Sequence, residues 1–402
     1  MSTFLPQFPP PASPLALFGL LLIAGVIGGE LAHRVARLPR IVGYVVTGMV
    51  LGASGFNVLD AKLVDEAWIF VEIALGLVLF ELGLRLDFAW LRRDRWLLAT
   101  GLAESALSYA LMYFALVFLD VGSLHAAVAA AIGVSTSPAV VMLVAQELRA
   151  EGQVTERALN LVAINSVVAF VLSTMLLSWI HHEYRASWTV AVLHPIYLFS
   201  GSLLLGYAAF LAALWMSRWI GKRADAHFVV LLALIIASIG VARMLELSAL
   251  IALLVFGVFS RNYDERHDLV AVDLSVVGQL FFVVLFVVGG ARLELFELAA
   301  GGTVALAYIL ARFAGKSLAV MSLAPFSRVR PGVAGMLCLA LTPMSGMALA
   351  MVQGTASLYP EFTARLSTIV LSAAVVLELF GPLAVQFAFR HAGEAKDPGE
   401  QP

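Results

Sequence analysis

Thirteen apolar runs, each about as long as a lipid bilayer is thick, constrain this chain more than any other feature. A helix of roughly 17 to 25 apolar residues spans hydrocarbon. The runs fall at about 14–33, 40–56, 66–84, 96–118, 124–147, 157–180, 190–217, 227–243, 246–260, 270–290, 302–323, 332–353 and 364–389. Hydrophobic residues make up 61% of the 402 and charged residues only 13%, with a mean hydropathy of +0.94, far from the roughly 25% charged content of soluble domains. Backbone groups in hydrocarbon must pair within their own segment, so the expected class is an all-α polytopic membrane protein of about 13 transmembrane helices. No Lys or Arg precedes Arg34, so the first run lacks the basic flank of a cleavable signal peptide and is expected to stay as a span. The balance of 25 basic against 27 acidic residues leaves no excess to neutralise phosphates, which argues against nucleic acid. The single cysteine, Cys338, excludes an internal disulfide and a thiolate metal cluster.

Basic residues in the connections set the expected orientation. Arg34, Arg37 and Arg40, Arg85, Arg92, Arg93 and Arg95, Arg149 and Arg157, Arg218, Lys222 and Arg223, Arg261 and Arg266, Arg328 and Arg330, and Arg390 and Lys396 all fall on one side; only Lys62, Arg185, Arg243, Arg292 and Arg365 fall on the other. The N-terminus is expected outside and the C-terminus in the cytoplasm.

An internal repeat runs through these segments. Gly83-Leu84-Arg85-Leu86-Asp87 closes the third run and Gly290-Ala291-Arg292-Leu293-Glu294 the tenth. Ser135-Thr136-Ser137-Pro138 interrupts the fifth, and Thr342-Pro343-Met344-Ser345-Gly346 the twelfth. Both pairs are seven runs apart, so each partner crosses in the opposite direction, as in inverted-topology repeats. Proline removes a backbone donor, and freed backbone groups are tolerated at membrane depth only where protein or a water-filled cavity satisfies them. Two symmetry-related breaks are therefore expected to cross near the midplane, with half-helix ends of opposite partial charge around a site.

The order and spacing of several stretches resemble the monovalent cation:proton antiporter superfamily, in its Kef-like branch. They are Leu38-Pro39-Arg40-Ile41-Val42-Gly43-Tyr44 with Gly48 and Leu51-Gly52, Leu79-Phe80 to Asp87, and Phe281-Phe282 to Leu293. Arg312-Phe313-Ala314-Gly315-Lys316, Leu377-Glu378-Leu379-Phe380-Gly381-Pro382 and Arg390-His391-Ala392-Gly393-Glu394 continue the pattern, which covers about residues 14–394. Val134 to Val141 and Ala163-Ile164-Asn165-Ser166-Val167-Val168 are similar to the family's ion-site half, except that Ser166 stands where those proteins normally carry an aspartate.

The resemblance implies a scaffold for dimerisation (14–90 and 226–296), a linking helix (190–220), a mobile core (96–181 and 301–390) and a short cytoplasmic tail (393–402). It implies exchange of sodium or potassium for protons, a homodimer in a bacterial inner membrane, and neither enzymatic activity nor a cofactor. Kef proteins carry a soluble regulatory domain after the membrane unit; the chain ends at Pro402, so that mode of regulation is expected to be absent. The ion-site residues carried over are Ser135, Thr136, Ser137, Pro138, Asn165, Ser166, Thr342 and Ser345.

A midplane carboxylate couples cation to proton because it binds one or the other. Asn165 and Ser166 offer oxygen dipoles that do not change charge. Arg312 and Lys316 lie one turn apart on one helix face, and buried cations need partners. The acids left to pair with them are Glu104 and Glu378. His181 and His182, read as an outer loop, make a poor metal site without a third ligand. Two classes of function follow: a transporter coupled through Glu104, Lys316 or another titrating group, and an antiporter homologue that has lost exchange and serves as sensor, scaffold or facilitator, or receives an anionic solute.

Overall fold

The computed structural model describes residues 13–185, 188–221, 224–264, 274–293, 295–344 and 346–396, and among them the regular structure is helical. In chain order the helices are α1 (Pro14–Ala36), α2 (Arg40–Leu51), α3 (Ala61–Arg85), α4 (Phe88–Arg93), α5 (Arg95–Phe118), α6 (Ser123–Val134), α7 (Pro138–Glu147) and α8 (Gln153–Arg185). There follow α9 (Trp188–Ile220), α10 (Ala224–Met244), α11 (Ala249–Tyr263), α12 (Ser275–Ala291), α13 (Leu295–Leu323), α14 (Pro331–Ala340), α15 (Gly346–Leu358) and α16 (Pro360–His391). Among the described residues, nine helices are long and apolar enough to cross a membrane, α6 and α7 counting as one, and four apolar helices are shorter.

Ordinary local chemistry sets the helix ends. Asp60 caps α3 by accepting from Leu63 N at 2.8 Å, and Asp87 caps α4 by accepting from Ala89 N and Trp90 N. The sequence between Ile180 and Arg185 contains neither Gly nor Pro to stop α8. His181 and His182, expected in a loop, instead continue that helix.

Helix pairs meet in a pattern that repeats between the two halves. Helix α3 packs on α11, α2 on α12, and α5 lies along α13. Each of the first two contacts is built on a reciprocal pair of glycines. A Cβ on Gly83 would sit 2.4 Å from Leu254 O, and one on Gly257 2.1 Å from Phe80 O; a Cβ on Gly48 would sit 2.0 Å from Val287 O, and one on Gly290 2.2 Å from Val45 O. Lipid supplies no hydrophobic force between helices, so close backbone approach through small residues is what holds such pairs. Gly83 and Gly290 open the repeated Gly-x-Arg-Leu-acid stretches, and this shared packing task is the physical reason for the repeat.

Candidate functional site

Helix α6 ends at Val134, and the chain runs extended through Ser135 and Thr136 before Ser137 caps α7 and Pro138 opens it. The second half has the same break: α14 ends at Ala340, and Leu341 to Met344 are non-helical before α15 begins. Ser345, an expected site residue in this break, lies outside the described residues. The two breaks touch, since Ser137 N donates to Pro343 O at 3.0 Å and Thr136 Oγ1 donates to Leu341 O at 3.3 Å.

Arg312 of α13 holds this crossing together. Its Nε donates to Gly133 O at 2.7 Å, Nη1 to Thr342 O at 2.7 Å, and Nη2 to Ser135 O at 2.8 Å and Pro343 O at 3.1 Å. The carbonyls that end a helix carry partial negative charge, and a planar guanidinium presents fixed, forked donors. One cation therefore satisfies the open ends of α6 and α14 together, without a carboxylate. Tyr308, one turn earlier, donates from its hydroxyl to Ala129 O at 2.8 Å.

Lys316, the next turn of α13, has a different partner. Its ammonium is bonded to Glu104 of α5, to Val134 O at 2.8 Å and to Thr136 Oγ1 at 3.1 Å, with both charged side chains fully buried. Asn165 of α8 closes the cluster. Its Oδ1 accepts from Thr136 N at 3.1 Å, and its Nδ2 donates to Thr136 Oγ1 at 3.0 Å and faces both oxygens of Glu104 at 3.4 Å. A carboxylate thus stands beside Asn165, delivered by α5, which packs directly on α8.

The remaining expected residues divide. The Ser135 and Thr342 hydroxyls donate to their own preceding turns, at Ile132 O and Leu339 O. The Ser137 hydroxyl accepts from Val140 N at 3.4 Å as the α7 cap. Ser166 is buried with no partner for its hydroxyl and lines an apolar cavity of about 70 Å³ with Leu79, Phe170, Leu254 and Met347. Glu378 of α16, weighed from sequence as a salt-bridge partner, meets neither Arg312 nor Lys316; its Oε2 is buried and unpaired. Sequence reasoning passed over the four carbonyls that Arg312 binds. The proline breaks were the available signal, since a broken helix must expose its last carbonyls. It also passed over Glu147, which ties α7 to Arg40 at 3.3 Å and to His33 at 3.3 Å.

Comparisons with known proteins bear on the family and the fold. Residues 18–390 match the family described as "Sodium/hydrogen exchanger, transmembrane". The curated Na(+)/H(+) antiporter NhaS5 of Synechocystis is 34% identical over 87 residues, which span 22% of this chain and 12% of that protein. The structure of the sodium proton antiporter MjNhaP1 from Methanocaldococcus jannaschii at pH 8 superposes with a TM-score of 0.67 at 18% identity, covering 94% of this chain and 97% of that one. Its electron-microscopy structure gives 0.70 at 17% identity, covering 95% and 98%. The fold is that of these antiporters, and the match across nearly its whole length places this chain in the sodium/hydrogen exchanger transmembrane family.

Proposed function

We propose that the protein is a secondary-active monovalent cation:proton antiporter whose exchange site is the Glu104–Lys316 pair beside Asn165. One observation carries the proposal: the only carboxylate bonded at the crossing, among the described residues, is Glu104, and a buried lysine holds it. Two charges withdrawn from water are stable only while they answer each other. A dehydrated cation entering beside Asn165 and Thr136 competes with the Lys316 ammonium for Glu104, and displacing that ammonium frees its proton to leave. Cation and proton then exclude one another, which is the condition for exchange.

The rest of this reading follows the family. A core of 96–181 and 301–390 moves against a scaffold of 14–90 and 226–296, with 190–220 between them. The core grouping is supported by α5 on α13, α13 on α16, α6 on α8 and α15 on α16, and the scaffold grouping by α2 on α12 and α3 on α11. The protein works as a homodimer in a bacterial inner membrane, N-terminus outside and C-terminus cytoplasmic, consistent with the distribution of Arg and Lys in its connections. The anionic-solute alternative has little support, because Arg312 is answered by four carbonyls and Lys316 by Glu104.

The test is proton flux in proteoliposomes, followed with a pH-sensitive dye under sodium, potassium and lithium gradients. Glu104→Gln alone strands a buried ammonium at a cost of about 3–5 kcal/mol, so it is combined with Lys316→Met to keep the fold. Wild type is expected to exchange and the double variant to be inactive yet folded. Wild-type silence toward every cation would leave the non-transporting reading; unchanged flux in the double variant would move the site elsewhere.

A further inference from the structure

A second buried acid stands outside the crossing and no role above uses it. Glu378 lies one helical turn before Gly381 on α16, and Gly381 packs α16 against the second break: a Cβ there would meet Pro343 Cα at 2.9 Å. The Glu378 side chain turns away from that contact toward α12. A Cβ on Gly289 would come 3.2 Å from Glu378 Oε1 and 3.9 Å from Leu349 Cδ1. The carboxyl is 1% exposed, and Oε2 has no hydrogen-bond partner.

Among the described residues, the charged and titratable groups of the helices around it are engaged elsewhere. Arg40 of α2 pairs with Glu147 of α7 and with Glu30. On α8, Glu156 pairs with Arg85 and Arg157 with Asp94. On α13, Arg312 binds carbonyls and Lys316 binds Glu104. At the end of α12, Arg292 pairs with Asp65, and on α6 His125 stacks on Phe362. Tyr44 of α2 packs under Gly29, and Cys338 of α14 lies near Ser317 O.

An isolated carboxylate in apolar surroundings costs far more than a neutral acid with one hydrogen bond unmade. The two halves also differ at this point. The repeated stretches align Gly290 with Gly83, so Gly289 stands where the first half has Leu82.

We propose that Glu378 is a second proton-binding site, separate from the Glu104–Lys316 pair, which takes up a proton as the acid while seated against Gly289 and releases it as the carboxylate when α16 moves away from α12. The proposal rests on the antiporter reading for its place in transport, but proton binding at Glu378 does not need transport to be measured.

Infrared spectra of purified protein, recorded through a pH titration, test it. A protonated-carboxyl C=O stretch is expected in wild type, lost in Glu378→Gln and retained in the Glu104→Gln, Lys316→Met double variant. Proteoliposomes of Glu378→Gln are expected to lose cation-driven proton flux. Gly289→Ala, which presses a methyl group toward Oε1, is expected to shift the pH midpoint of exchange at unchanged cation half-saturation. If wild type carries no flux, the antiporter reading fails while the infrared band still decides the proton site. A band unaltered by Glu378→Gln overturns the proposal, even if flux is lost, because the side chain is then only structural. Wild-type flux and pH midpoint in both Glu378→Gln and Gly289→Ala overturn its role in transport. Should Glu378→Gln fail to fold, the Gly289→Ala midpoint decides.

Discussion

At the scale of single residues, the crossing is a division of labour between two cations on one helix face. Arg312 spends its donors on backbone carbonyls that no side chain was free to cap, and Lys316 alone is left to need an acid. That division explains how the site holds its shape with a serine, Ser166, next to Asn165. Asn165, next in sequence, turns into the crossing, whereas Ser166 faces the apolar cavity on the far side of α8 with its hydroxyl unpaired. Ser166→Asp would therefore put an unpaired carboxylate into that apolar cavity, away from the Lys316 ammonium. The expected outcome is a lower thermal midpoint in detergent with no new sodium- or potassium-dependent proton exchange in proteoliposomes, while Ser166→Ala, which removes a hydroxyl without a partner, changes little. New cation-dependent exchange in Ser166→Asp would show that this cavity, and not the Asn165 side of α8, receives the cation.

At the scale of helices, association depends on a few places where backbones touch. Gly290 meets Val45 O so closely that a methyl group has no room, and overpacking of this kind costs about 1–3 kcal/mol. Gly290→Ala is expected to lower the thermal midpoint in detergent clearly. Gly240→Ala is the control, since nothing lies within 4 Å of a Cβ there, and it should raise the midpoint through about 0.5–1 kcal/mol of helix propensity. Equal responses would remove the argument that glycine pairs hold α2 on α12. The same residues show what a reader of the sequence can reach. Gly83 and Gly290 stand out because they recur with Arg-Leu-acid after them, and Pro138 and Pro343 because proline cannot continue a helix. Apolar length and these punctuations made the helices, the breaks and the Arg312–Lys316 face legible. Pairing across the bundle was not, because Glu104 and Glu378 look alike in one dimension. Only packing shows that α5 lies along α13 and delivers Glu104 to Lys316, while α16 turns Glu378 toward α12.

At the scale of the whole molecule, the proposed movement of core against scaffold requires few ties between the two helix groups, placed where breaking them is cheap. One such tie is a cluster at a single end of the bundle. Glu147 closes α7, accepts from Arg40 N at 3.2 Å and from Arg40 Nη1 at 3.3 Å, and faces His33 Nδ1 at 3.3 Å; Arg40 also reaches Glu30. Arg85 to Glu156 links α3 to α8 at 3.2 Å. Helix α7 begins at Pro138, so a load on Glu147 acts through ten helical residues on the break itself. The cluster borders a cleft of about 690 Å³ between α1, α2, α7 and α12, and the partial exposure of His33, Arg40 and Glu30 keeps each bond modest. Glu147→Gln removes one charge from the tie and leaves Arg40 its bond to Glu30. Weakening the tie by about 1–2 kcal/mol shifts a two-state population by about five- to thirtyfold. The expected outcome is faster amide hydrogen exchange at the start of α2 and the end of α7, together with a higher rate of exchange transport at saturating cation. Unchanged hydrogen exchange at both helix ends would mean that the cluster does not hold core to scaffold. Faster hydrogen exchange with unchanged transport would place the slow step of the cycle elsewhere in the molecule.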